Sequence, residues 1–288
     1  YMTTEELCNW TLLACLYGLR SGDAGWLGSR REALRECLQS LLQRDHPDPA
    51  RRDGVIAFES SRTDDGAEIT TYDSLDRSLG QSRKNTYTTV RVWACALALK
   101  AAFQSLEDHG NAQACHACAL RIAGNLLKWR TPEARLPALL ETGSSAFIIP
   151  VVEGLVYPYA LGLHSDLAPE GPFAPLLQAF RQHLESVLQP GACLFDDGAW
   201  KLSSTSINTW LSKIYLNQFV ARQVLGLSGP ALRDIPDAVH RAWLQSPDNA
   251  FWAWSDQSHA GHFKGSRYYP RGVTAILWLQ ENASRDAP

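Results

Sequence analysis

The chain has 288 residues, 45% of them hydrophobic and 20% charged, and a formal net charge of −3. This is ordinary for a folded globular protein, with length enough for one large domain or two modest ones. With no basic block and no acidic tail, nucleic acid is not expected as a partner; no run approaches the roughly 18 uninterrupted apolar residues of a membrane span, so no membrane partner is expected either.

The opening residues, YMTTEELCNW, show no basic stretch of the kind that begins a signal peptide, and Tyr1 precedes the first Met, so the chain reads as a piece of a longer protein. In chain order, hydrophobic periodicity predicts helices over about 4–19, 30–43, 86–108, 111–129, 147–163, 172–188, 206–225, 231–245 and 271–281. Strand signals are nearly absent. Thr3 or Thr4 ahead of Glu5 and Glu6, and Ser29 ahead of Glu32, suit helix starts, and Pro172 and Pro230 suit first turns.

The predicted helices differ in their faces. REALRECLQSLL places Leu34, Leu38, Leu41 and Leu42 on one stripe with charges elsewhere, and the helices at 172–188 and 231–245 follow suit. Such helices bury one face and solvate the other. VRVWACALALKAAF and AFIIPVVEGLVYPYALGL are apolar nearly all round, which calls for burial on both sides. The first and last helices belong with them, and 206–225 is intermediate. Alternation of all-round and one-sided helices predicts an all-α fold of the (α/α) barrel type, an inner ring jacketed by outer helices. An irregular bundle or solenoid is the competing arrangement, but no fixed repeat period supports an array.

The connections alternate too. Those leaving inner helices are short, at about 20–29, 109–110, 164–171 and 226–230. Those entering them are long, at about 44–85, 130–146, 189–205 and 246–270. Long connections inside a compact domain are usually functional, and in an alternating barrel they emerge at one end. The first carries Thr71, Tyr72, Asp73 and Asp76. The second carries Glu141 and leads toward Glu153, a carboxylate on an otherwise apolar helix. The third carries Asp196, Asp197, Trp200, Lys201 and Trp210. The fourth carries Trp252, Trp254, Asp256, His259, His262, Arg267 and Arg271. Carboxylates, indoles and amides around one concavity suit a carbohydrate: sugar C–H faces stack on tryptophan, and glycoside cleavage needs two carboxyl groups.

Each acid has a plainer alternative. Asp76 could cap a helix, Asp196 and Asp197 could form a turn before Gly198, and Glu153 could pair with a buried base. His259 and His262 lack a third ligand at matching spacing, so no metal is expected. No phosphate-cradling glycine loop appears, and no cofactor is expected; no G-x-S-x-G nucleophile elbow appears either. The seven cysteines are Cys8, Cys15, Cys37, Cys95, Cys115, Cys118 and Cys193. Their odd number and apolar settings favour reduced, buried thiols and a cytoplasmic location, with the C-x-x-C of Cys115 and Cys118 read as helix packing.

Four segments, ITTYDSLDRSLGQSRKNTY, IIPVVEGLVYPY, CLFDDGAWKLSSTSINTWLSKIYLNQFVAR and FWAWSDQ…RYYPRGVTAILWL, together resemble family 52 of the glycoside hydrolases, the β-xylosidases. The resemblance covers roughly Glu68 to Gln280. It implies a β-sandwich followed by an (α/α)6 barrel, and cleavage of xylosides with retention by one carboxylate nucleophile and one aspartic acid/base. The T-Y-D triplet also resembles the acid/base motif of family 116, the β-glucosidases and glucosylceramidases. By that match Asp73 is the general acid/base, Thr71 touches the sugar or orients Asp73, and Arg267 binds sugar hydroxyls. Glu153, Trp200, Lys201, Trp254 and Asp256 are the further substrate-binding candidates. The resemblance places the nucleophile upstream of position 1, so residues 1–288 are expected to be one barrel domain lacking its sandwich and first helices. The expected substrate is a short xylo-oligosaccharide such as xylobiose, and a homodimer is the expectation for the full-length parent. A β-glucosidase of the same clan, an inactive carbohydrate-binding domain and a helical interaction scaffold are the alternatives.

Overall fold

A computed structural model describes residues 3–57, 84–140, 145–246 and 256–265. These are mostly helical, as the periodicity predicts. Helix α1 (Thr3–Arg20) opens with Glu5 and Glu6, acids that suit the positive end of the helix dipole. Arg44, near the end of α3 (Arg31–Asp45), donates to the Thr4 hydroxyl at 2.9 Å and ties the two helices together. Between them lies a helix the sequence reading missed, α2 (Ala24–Ser29), capped by Asp23, whose carboxylate accepts from the Trp26 amide. The expected capping box at Ser29 is not formed: Ser29 donates to the Trp26 carbonyl, and Arg30 precedes α3 without a side-chain cap.

Helix α4 (Thr86–Ser105) is capped by Asn85, whose side-chain oxygen accepts from the Thr88 amide at 2.7 Å. Asp76, the other acid offered as a cap, lies outside the described residues. Sixteen of its 20 residues are buried, so α4 has no solvated face. It packs against α5 (His109–Lys128), α1 and the turn at 149–155. Helices α3, α5, α7 (Ala174–Val187) and α9 (Ile235–Gln245) each bury one stripe, such as Leu176, Leu177, Phe180 and Leu184 on α7. All seven cysteines are buried free thiols.

Two predicted helices are corrected. The stretch 147–163 is a 3₁₀ segment (Ile149–Leu155) followed by the short α6 (Val156–Ala160). Pro150 and Pro158 each lack an amide donor, and their rings crowd the preceding turn, so no continuous α-helix runs through both. The stretch 206–225 starts later, as α8 (Leu211–Phe219), and ends in a wider turn where Leu225 donates back to the Val220 carbonyl. Ahead of α8 the Ser203 and Ser206 hydroxyls accept from the Thr205 and Asn208 amides, competing with helix for those donors. The chain there forms β1 (Asn208–Trp210), antiparallel to β2 (Gln257–His259), which pairs with β3 (His262–Phe263). Ala260 and Gly261 join β2 to β3, both at positive φ, as a tight hairpin turn demands. The predicted helix at 271–281 lies outside the described residues. Among the described residues, no helix is long and apolar enough to cross a membrane.

Candidate functional site

The described ends of the four long connections are joined by backbone hydrogen bonds into a continuous belt. Lys84 donates to Ile56 at 2.8 Å, closing the base of the first connection. Leu140 donates to Lys84 and Thr86 to Ala138, joining first to second. Ile149 donates to Leu202 and Ser204 to Phe147, joining second to third. Finally β1 pairs with β2, and Ala260 donates to Ile207, joining third to fourth. Buried His183 reinforces the belt from α7: its Nδ1 accepts from the Leu136 amide at 2.9 Å, which leaves Nε2 to donate to the Ile148 carbonyl at 3.0 Å.

Helix α4, the 3₁₀ segment and α8 each begin where the belt ends, and just inside it their first turns meet that of α1 in a buried ionic cluster. Glu153 is its centre. Lys213 Nζ donates to Glu153 Oε2 at 3.1 Å, Asn217 Nδ2 lies 3.4 Å from the same oxygen, and Arg91 Nη1 and the Tyr87 hydroxyl lie 3.5 and 3.4 Å from Oε1. Glu5 completes the balance of two acids and two bases: it accepts from the Tyr87 hydroxyl at 2.8 Å and pairs with Arg91 at 3.4 Å. Arg91 also bonds the Tyr87 hydroxyl, Asn9 and Tyr157. Lys213 Nζ sits 4.5 Å from the centroid of the Tyr87 ring, a cation–π contact.

Burial pushes the Glu153 carboxyl up, but Lys213 and Arg91 outweigh it and hold the group below the usual carboxylate range. Burial likewise keeps the Tyr87 phenol protonated well beyond its ordinary range. An ionised carboxylate held by two cations is not a proton donor, and its low basicity makes it a poor general base. What it does is fix Lys213, the most accessible charged member of the cluster with a side chain 25% exposed, at the start of α8.

The other candidates are distributed differently. Asp256 is buried; its Oδ2 accepts from the Ser212 amide and its carbonyl from Leu211, so it caps α8 from the fourth connection. Through α8's first turn, Asp256 and Glu153 are thus mechanically linked. Lys201 donates to the Ser204 carbonyl at 3.3 Å, within the third connection. Trp200 is fully buried, its indole N–H donating to the Ala231 carbonyl and its amide to His240 Nε2. In this packing it is a core side chain with no face open to a ligand. Asp197 accepts from the Ala199 amide in the turn its plainer reading expects, and Gly198 at φ +86° leaves room for Ile235. Thr71, Asp73, Glu141, Trp254 and Arg267 lie outside the described residues. Sequence reasoning missed Arg91, Lys213, Tyr87 and Glu5. The available signal was Arg91, a charge inside an apolar run that needs a partner as Glu153 does. Among the described residues no group of His, Cys, Asp and Glu is arranged to hold a metal ion.

Against known proteins, the chain is 47% identical over 281 residues, 98% of its length, to a protein named beta-xylosidase from Geobacillus stearothermophilus. A second protein of that name from the same organism is 32% identical over 114 residues, 40% of this chain. The matched stretches span 40% of the first relative's length and 18% of the second's. No family model matches.

Proposed function

We propose that residues 1–288 are the helical catalytic portion of a retaining β-xylosidase, an incomplete (α/α)6 barrel acting on short xylo-oligosaccharides. In this reading Asp73 is the general acid/base, Thr71 and Arg267 contact the sugar, Trp254 stacks on it, and the nucleophilic glutamate stands on polypeptide outside these residues. The observation that carries the proposal is the 47% identity, across 98% of the chain, to a protein named beta-xylosidase. The belt supports it, because the connections bearing the candidates are anchored side by side. The state of Glu153 is compatible with it: ionised and committed to Lys213 and Arg91, Glu153 is not the proton donor that glycoside cleavage needs, and that role is left to Asp73.

The test uses the protein with whatever polypeptide its reading frame encodes beyond these residues. A general acid matters most for a poor leaving group, so Asp73→Ala nearly abolishes xylobiose hydrolysis and spares glycosylation by an activated aryl xyloside. Azide then restores turnover by replacing the missing base. The same pattern from Asp76→Ala, with Asp73→Ala unaffected, would refute the assignment. Faster turnover of aryl glucoside than of aryl xyloside would move the substrate to the glucosidase alternative.

A further inference from the structure

The buried ionic cluster holds a charge at its edge that the proposed roles leave unused. Glu153, Arg91 and Tyr87 are buried, while the partly exposed Lys213 side chain carries the cluster to the solvent boundary. Its ammonium is held by two residues: Nζ lies 3.1 and 3.5 Å from the two oxygens of Glu153 and 3.2 Å from the Tyr87 hydroxyl. Its backbone is held as well, since Asn217 Nδ2 donates to the Lys213 carbonyl at 2.8 Å. A lysine side chain is flexible, and fixing it beforehand spares the rotamer entropy that binding a ligand would otherwise cost.

Position and charge select the ligand. Lys213 stands in the first turn of α8, which the third connection enters and which Asp256 of the fourth caps through the Ser212 amide. Tyr87 stands in the first turn of α4, entered from the first connection, and Glu153 in the 3₁₀ segment entered from the second. The ammonium therefore lies where the four connections come onto the scaffold. Among the described residues of the cluster, Glu5 and Glu153 balance Arg91 and Lys213. Such a balanced group offers strong N–H donation without the excess positive charge that draws in an anion, so it suits a neutral hydroxyl rather than a phosphate or a carboxylate. We propose that Lys213 is a substrate-binding residue whose ammonium donates to one ring hydroxyl of the sugar, with Glu153 and Tyr87 fixing it in advance. The inference rests on the β-xylosidase reading above and adds a contact from α8 to those expected from the first and fourth connections.

The experiment uses the same extended protein as the Asp73 test. It measures kcat/KM on p-nitrophenyl xyloside and on three analogues, each lacking one ring hydroxyl, for the unsubstituted protein, Lys213→Met, and Lys213→Met combined with Glu153→Gln. Loss of one charge-assisted hydrogen bond lowers kcat/KM on the complete xyloside about tenfold to a hundredfold. On the analogue that lacks the bonded hydroxyl, Lys213→Met changes kcat/KM by less than about threefold, because that bond is already gone. The combined variant removes the Glu153 charge that Lys213→Met strands and keeps Glu5 with Arg91, so it carries the test if the single variant fails to fold. It shows the same low activity and the same insensitivity to one hydroxyl. Circular dichroism confirms that the assayed variants are folded. Equal losses on all three analogues overturn the inference and leave Lys213 a structural counterion. So does recovery of the combined variant to within about threefold of the unsubstituted protein. In either case xyloside turnover by the unsubstituted protein leaves the β-xylosidase reading standing, whereas absence of that turnover overturns both.

Discussion

Two ionic clusters in this molecule invite comparison. On the outer face of α3, Arg35 reaches one oxygen of Asp108 with Nη2 at 2.8 Å and Nε at 3.1 Å, and Glu32 at 3.3 Å. Asn111 and Arg35 together hold Asp108 down to about 2. Inside the belt, Glu153 meets Lys213 and Arg91 at the longer distances of 3.1 and 3.5 Å. Bond length alone would rank the surface cluster first. Solvent reverses the order: the Arg35 side chain is 38% exposed and water replaces what it loses, whereas Glu153 and Arg91 are buried and nothing replaces theirs.

The largest expected effect comes from breaking the inner cluster on one side. Glu153→Gln keeps the shape but leaves two cations against one carboxylate, and chemical denaturation should show a loss of about 3–5 kcal/mol. Removing both partners, as in Glu153→Leu with Lys213→Met, should cost clearly less, because no charge is stranded. A loss from Glu153→Gln no greater than that from Arg35→Gln would erase the distinction between the clusters.

Next in size is the acid limb of stability. Burial pushes both His183 and His240 down to about 4 from an ordinary value of 6.5. Neutral in the fold and free to protonate when unfolded, they contribute stability that is complete above pH 6.5. It is lost as pH falls toward 4, by at most about 3 kcal/mol each. Glu153 acts later, since a lowered carboxyl contributes above the usual carboxylate value and loses its contribution only below it. Denaturation midpoints measured across this range should fall first through the histidine window, and His183→Gln should flatten that part of the curve. The smallest effect belongs to the surface: Arg35→Gln should leave the thermal midpoint within error at about 0.15 M salt, where exposed pairs are screened. A marked drop would show that the outer cluster is more than a solvated pair.

Helix faces were legible in the sequence because burial on one side or all sides leaves a periodic trace; α3, α4, α7 and α9 all bear it. The breaks were legible in principle, since Pro150, Pro158 and the serines before β1 name their own reasons. Glu153 stood out as a charge in an apolar run, and pairing with a buried base was one of its two readings. Its partners did not, because Arg91 and Lys213 lie 62 and 60 residues away and only the fold brings them together. Trp200 misled for a related reason: a polar neighbourhood in sequence suggested a ligand platform, while its neighbours in space are Ala231 and His240.

The bond from Lys84 to Ile56 has a consequence for how such a protein can change over generations. A connection pinned at its base leaves and re-enters the scaffold at one point, so its sequence and length can vary while the helices keep their places. Closure entropy rises only with the logarithm of length, about 0.6 kcal/mol per doubling. The stretch that holds Asp73 can therefore be exchanged or extended at little cost to the frame that carries it, which separates the inheritance of this connection from the inheritance of stability.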